Sequence, residues 1–232
     1  MIDYGAFEVL SFDCYGTLID WEAGIVGAIR AMVGEAVARR ADEELLGTFA
    51  AMEHRAEVPY QPYREVLAVS LRGIGEELGF PVSDSQAAAF GGSVVDWPAF
   101  PDSEAALRRL QSRFRLAVIT NCDDDLFAAS ERRLGTSFDF VITAQQVGSY
   151  KPDPRNFQVA HDRIGVPTTR ILHVAQSLFH DHVPAKALGM TTVWIDRRAG
   201  ASGGATPAAE ARPDASFTSM EAFAADAVPA AQ

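Results

Sequence analysis

The rhythm of apolar and polar positions changes twice along the chain. Residues 7–13, FEVLSFD, are a short apolar run ending in an acid, with Tyr15-Gly16-Thr17 just beyond. Its length and the glycine after it favour a buried strand over a helix. From about Trp21 to Asp96 no strand pattern recurs. There AGIVGAIRAMVGEAVARR, ADEELLGTFAAMEHRAEV and YREVLAVSLRGIGEELG carry apolar residues at helical spacing, and Gly79 and Pro81 close the last of them. From Asp102 onward helix and strand alternate. Ser103–Gln111 leads to RLAVIT, DDLFAASERRLG to FDFVIT, PRNFQVAHDRIG to RILHVA, and HVPAKALG to TTVWI. The strands are rich in β-branched residues, as strands covered on both faces should be.

Repeated αβ units of this length predict a parallel sheet with helices on both faces. The expected fold class is therefore α/β, a doubly wound parallel sheet with an inserted helical cap. The core is expected from residues 1–18 and 97–232 and the cap from 19–96, with joints near 18–21 and 91–101. The tail from Ala199, AGASGGATPAAEARPD, reads as a loop, with one short helix after Ser219. Trp21, Tyr60, Tyr63 and Trp97 read as packing residues of the cap and its hinge.

Composition narrows the partners. A formal net charge of −11 disfavours nucleic acid and anionic membrane, both polyanions. It leaves a small anionic substrate open, since a local Lys or Arg can override the global field. The N-terminus, MIDYGAFEVL, has no basic n-region and no apolar h-region, and no apolar run reaches membrane-spanning length. A cytoplasmic protein is expected, with at most a second copy of the chain as partner in a homodimer. Cys14 and Cys122 are too few for a disulfide framework and read as free, half-buried thiols.

In a doubly wound sheet ligands bind beyond the C-terminal ends of the strands, so four short stretches carry the chemistry. Asp13 follows the first strand, and the Gly-containing turn after it can wrap backbone N–H groups around an anion. Thr120 and Asn121 end the second strand; a hydroxyl and an amide there can donate to an anionic oxygen or a leaving group. The neighbouring Asp123 also reads as the N-cap of the helix DDLFAAS. Lys151, ahead of Pro152, can balance the charge on Asp13 or on a substrate. Gln176, Ser177, His180 and Asp181 lie beyond the fourth strand. Asp181 can hold Lys151, orient a water or bind a metal. Taken singly these read as a turn residue, a helix cap, a surface lysine and an acid at a helix start.

Together, in this order and on successive strand ends, they resemble the haloacid dehalogenase (HAD) superfamily. The resemblance runs from Phe7 to about Asp196 and implies a HAD-like Rossmannoid core in which Asp13 is the nucleophile. The helical insertion matches the family's cap. Phosphatases of the family usually carry a second acid where this chain has Tyr15, and another where it has Gln176; the first protonates the leaving alkoxide and the second helps hold Mg²⁺. A halide needs no proton to leave. FDCYGTLID, Asn121 and Ser149-Tyr150-Lys151-Pro152-Asp153 are similar to the (S)-2-haloacid dehalogenases.

The resemblance implies a hydrolytic dehalogenase of small 2-haloalkanoic acids, acting through an aspartyl ester and needing no cofactor. Asn121 would stabilise the halide and Lys151 the charge. Thr17 and Thr120 would donate to the carboxylates, Asp181 or His180 would position water, and Tyr15 and Ser177 would contact substrate. Arg55 and Arg64, beside Tyr60 and Tyr63, are the candidates for binding its carboxylate. The alternatives are a Mg²⁺-dependent phosphatase, with Asp13, the Tyr15 carbonyl and Asp181 as ligands, and a non-catalytic binding protein. The chain departs from the dehalogenase pattern at Phe157, where a tyrosine is usual, and in a fourth loop one residue longer. His173, His180 and His182 suggest a metal cluster, but His-Asp-His at 180–182 lacks the third spaced ligand that a zinc site would need.

Overall fold

The computed structural model describes residues 2–200, 206 and 209–229. Its strands are β1 (Val9–Phe12), β2 (Arg115–Thr120), β3 (Phe140–Thr143), β4 (Ile171–Ala175), β5 (Thr191–Ile195) and β6 (Ala215–Phe217). Helices α1 (Trp21–Val37), α2 (Asp42–Ala56), α3 (Tyr63–Leu78) and α4 (Asp84–Gly91) lie between β1 and β2. Later come α5 (Ser103–Gln111), α6 (Asp124–Leu134), the single turn α7 (Ala144–Val147), α8 (Arg155–Ile164), α9 (Val183–Ala187) and α10 (Met220–Ala227). Among the described residues no helix is long and apolar enough to cross a membrane.

The six strands form one parallel sheet in the order β3-β2-β1-β4-β5-β6. Strand alternation assigns the two faces. Leu10 and Phe12 of β1 pack with Leu116, Val118, Leu107 and Phe127 on one side. Val9 packs with Ala117, Ile119, Phe157 and Ala160 on the other. Helices therefore cover both faces, as the αβ alternation required. Two features went unforeseen. β6 is a three-residue edge strand directly after the segment read as loop, and α4 is a fourth insertion helix, opened by a capping box between Ser83 and Gln86. The helix expected after Ser219 is α10, with Ser219 as its N-cap. Of the tail, residues 201–205, 207 and 208 lie outside the described residues.

Two features position the site. β1 is central, flanked by β2 and β4, with Phe12 level with Val118 and Val174. The residues following β1, β2 and β4 therefore emerge side by side at one sheet edge. The two joints of the insertion also run together: Ile19 bridges Ala99 antiparallel, Asp20 N–H donates to the Pro98 carbonyl (2.8 Å) and Phe100 N–H to that of Leu18 (3.0 Å). Trp97 is buried over Gly24, where a Cβ would come within 2.4 Å of the indole. The insertion's apolar residues, Ile25, Phe49, Leu67 and Phe90 among them, continue through Leu18, Ile19 and Trp97 into the sheet's core.

Candidate active site

Asp13 leaves β1 with its N–H still bonded to Val174 (3.1 Å). The chain then turns tightly: Leu18 N–H returns to the Cys14 carbonyl at 2.7 Å and Gly16 takes φ +96°, a conformation that favours glycine. This turn brings Thr17 back over Asp13, and its hydroxyl donates to Asp13 Oδ2 at 2.6 Å while accepting from Gln176 N–H at 2.9 Å. The Thr17 carbonyl is itself clamped by Arg197 (2.7 and 3.1 Å), whose guanidinium pairs with both oxygens of Asp102 (2.9 and 2.8 Å).

Lys151 is buried and spends all three ammonium hydrogens, on Asp13 Oδ1 (2.9 Å), Asp181 Oδ1 (2.7 Å) and the Ile119 carbonyl (2.8 Å). Asn121 holds the lysine backbone in place, accepting from Lys151 N–H (2.7 Å) and donating to its carbonyl (3.0 Å). One amide hydrogen of Asn121 remains for a ligand. Asp181 is fully buried in a turn of π-helix (Leu178–His182); its Oδ1 also bonds His173 Nε2 at 3.1 Å. Its Oδ2 has no hydrogen-bond partner among the described residues. Burial would raise the Asp181 carboxyl, but Lys151 and then His173 hold it well below the ordinary range. Asp13 is raised, by burial first and by Asp181, against the pull of Lys151 and Thr17. His173 sits level with Ser11 on the neighbouring strand, and Ser11 Oγ meets its Nδ1 at 2.9 Å.

A cavity of about 60 Å³ opens over these groups. Asp13, Tyr15, Asn121, Lys151, Ser177, His180 and Asp181 all line it. Ser177 Oγ accepts from His180 N–H (2.9 Å) and pairs with His180 Nδ1 (3.1 Å). Burial pushes His180 down to about 4, so its imidazole is neutral near pH 7.

The family model of haloacid dehalogenase-like hydrolases matches residues 7–187. The chain belongs to this family. It is 28% identical over 221 residues to (S)-2-haloacid dehalogenase H-109 of Pseudomonas putida, covering 88% of this chain and 93% of the relative. It is also 28% identical over 195 residues to (S)-2-haloacid dehalogenase 4A of Burkholderia cepacia, covering 81% and 82%. In fold it is similar to the L-2-haloacid dehalogenase of Xanthobacter autotrophicus, with TM-score 0.80 and 19% identity over 97% of this chain and 100% of that one.

Within this hydrolase fold several expected contacts need correction. Arg64 does not line the cavity: its guanidinium turns to Asp125 at 2.6 Å. Arg55 is exposed and also lies off the cavity. The Thr120 hydroxyl is buried, meets no carboxylate and has no partner among the described residues. The Tyr15 hydroxyl is engaged by Ser130 (2.9 Å) and by the Cys122 thiol (3.3 Å), so only its ring serves the cavity. Cys14 and Cys122 are free and fully buried rather than half-buried. Asp123 begins α6, but its carboxylate caps α3 of the insertion, accepting from Tyr63 N–H (2.8 Å) and Arg64 N–H (3.0 Å). No three His, Cys, Asp or Glu side chains among the described residues converge in metal-binding geometry. His182 is committed to the Ala175 carbonyl (3.0 Å).

The insertion contributes two groups that the sequence did not single out, Glu53 and Glu57, both lining the cavity. Glu53 accepts from the Tyr63 hydroxyl at 2.7 Å. Burial raises Glu53 to about 7, and burial with the neighbouring Glu53 raises Glu57 to about 9. The folded protein thus holds these protons more tightly than the unfolded chain. The associated stability is full below the ordinary glutamate pKa and is lost as pH rises through 7 and then 9. The Glu53→Gln/Glu57→Gln protein is therefore expected to gain melting temperature relative to wild type between pH 5 and pH 9. Thermal melts across that range check this, and parallel curves would refute it.

Proposed function

We propose that the protein is a hydrolytic dehalogenase of small 2-haloalkanoic acids that works through an ester on Asp13. The observation carrying this reading is the fixed Asp13 carboxylate, one oxygen held by Lys151 (2.9 Å) and the other by Thr17 (2.6 Å), facing a small cavity with no acid at position 15. An Asp13 oxygen attacks the halogen-bearing carbon; the new C–O bond forms as the carbon–halogen bond breaks, and the halide leaves with its electron pair. The remaining amide hydrogen of Asn121 is available to that halide. Water then adds to the Asp13 acyl carbon, and the alkyl oxygen departs as the 2-hydroxy acid with one proton released. Asp181 Oδ2 and neutral His180 are the groups that can hold this water. The relation to named (S)-2-haloacid dehalogenases over most of both chains supports the reading. So does the Xanthobacter L-2-haloacid dehalogenase, also solved with chloropropionic acid covalently bound.

The donor set fits Mg²⁺ poorly. A phosphatase would need hard ligands from Asp13 and Asp181, yet Lys151 already bridges these two carboxylates at 2.9 and 2.7 Å. Where the family's phosphatases carry an acid the loop has the neutral Gln176, and Tyr15 is a poor proton donor to an alkoxide, because burial raises it well above its usual range and its hydroxyl is turned to Ser130. Chloride release from 2-chloropropionate is expected and should survive EDTA. Loss of all activity with EDTA, restored by Mg²⁺ and accompanied by phosphate release from a generic monoester, would instead establish a phosphatase.

A further inference from the structure

Four carboxyl groups line the cavity among its described residues, those of Asp13, Glu53, Glu57 and Asp181, with one ammonium, Lys151. That ammonium is already saturated by three acceptors. No arginine joins them among the described lining residues. The wall made by the insertion is therefore acidic where a binder of simple carboxylates would be basic. Its geometry is also organised. Glu53 and Glu57 stand four residues apart, with the Glu57 N–H bonded to the Glu53 carbonyl (3.0 Å), so both lie on one face at the end of α2. The Tyr63 hydroxyl fixes Glu53, whereas Glu57 has no ion-pair partner among the described residues. On the opposite wall the fully buried Asp181 leaves Oδ2 without a partner. The rings of Trp21 and Tyr63 line the same space and offer faces of negative potential.

From this arrangement we infer that Glu53 and Glu57 form a subsite for a cationic group, so that the preferred substrate carries a primary ammonium at the end remote from Asp13. The inference rests on the Asp13 site being the place of reaction, and it deepens that reading by naming the substrate class. A small ammonium supplies the charge that the wall lacks and three donors for its acceptors. An ammonium there favours the ionised forms of Glu53 and Glu57 and so gains charge-assisted contacts, whereas an anion keeps both protonated and gains none.

Calorimetric titration of wild-type protein with n-butylammonium, 4-aminobutanoate and butanoate tests this without any chemistry at Asp13. The two amines are expected to bind, and butanoate to bind at least about tenfold more weakly, the scale of one charge-assisted contact. Glu57→Gln, which removes no side-chain hydrogen bond seen here, is expected to weaken 4-aminobutanoate by about tenfold and leave butanoate unchanged or tighter. Glu53→Gln should act in the same direction. Butanoate binding as well as 4-aminobutanoate, or a Glu57→Gln protein with unaltered preference, would overturn the inference. Turnover of 2-chloro-4-aminobutanoate and 2-chlorobutanoate then separates the two readings. Chloride release indifferent to the amine overturns the cation subsite and leaves the dehalogenase. Discrimination in binding without chloride release from either compound overturns the dehalogenase and leaves the subsite.

Discussion

Asp13→Asn is expected to lower kcat by about 10⁴-fold or more, the scale seen when a covalent nucleophile is removed. The amide preserves the shape of the residue, and its one oxygen can still accept from Lys151, which holds Asp13 Oδ1 at 2.9 Å, while its NH2 replaces the oxygen that Thr17 meets at 2.6 Å. It cannot, however, displace a halide. The fold should survive, because the surrounding apolar cluster of Leu10, Phe12 and Leu18 is untouched. Folded, mass-verified Asp13→Asn protein with more than a few per cent of wild-type turnover would contradict the assignment of the nucleophile.

Lys151→Met is expected to damage both stability and chemistry. Its ammonium lies between Asp13 and Asp181, and all three side chains are buried. Removing one member of such a cluster leaves uncompensated buried charge, a loss of about 3–5 kcal/mol. In a chain of this size that corresponds to a melting temperature lower by about 10 °C. The carboxylates then face one another without a cation, and Asp13, already raised by burial and by Asp181, rises further. A protonated Asp13 is no nucleophile, so residual activity should be confined to higher pH than in the wild type. Arginine is not expected to rescue, since its planar fork cannot meet three acceptors arranged around one nitrogen. Melting curves and pH–rate profiles of folded Lys151→Met check both effects. A variant that matches wild type in both would show that the lysine has neither role.

The sheet and the edge that carries the candidate site were legible because they rest on local rules. Short β-branched runs alternating with amphipathic helices dictate a parallel sheet, and Asp13, Asn121, Lys151 and Asp181 follow strands whose ends lie side by side. What escaped was set by tertiary contact. Glu53 and Glu57 sit on an amphipathic helix where acids ordinarily read as a solvated face, and only the packing of α2 over the sheet edge turns them into the cavity. Asp123 has the sequence of a local N-cap yet spends its carboxylate on a helix some sixty residues earlier. Arg64 lay beside tyrosines that suggested a binding role, but nothing local revealed that Asp125 would take its guanidinium. His173 reads as one strand residue among others, and its place between Ser11 and Asp181 depends on the register of β1 against β4. Arg197, which clamps the Thr17 carbonyl, and Asp102, which holds Arg197, lie 95 residues apart and carry no local motif.

We further propose that residues 19–96 move as a cap about the paired joints at Ile19 and Ala99. Asp123 holding the start of α3, and the Tyr150 hydroxyl donating to the Gln61 carbonyl at 2.7 Å, would then be contacts that close the cavity over substrate.

The origin of the product's new oxygen tests the ester on Asp13 most directly. In a single turnover in H₂¹⁸O with enzyme in excess over 2-chloropropionate, water should attack the acyl carbon of Asp13 and leave its oxygen in that carboxylate. The predicted result is lactate with an unlabelled hydroxyl, and a peptide containing Asp13 heavier by about two mass units, as covalent catalysis through a carboxylate requires. Labelled lactate with an unchanged peptide would contradict the ester and make water, activated by Asp181 or His180, the direct nucleophile.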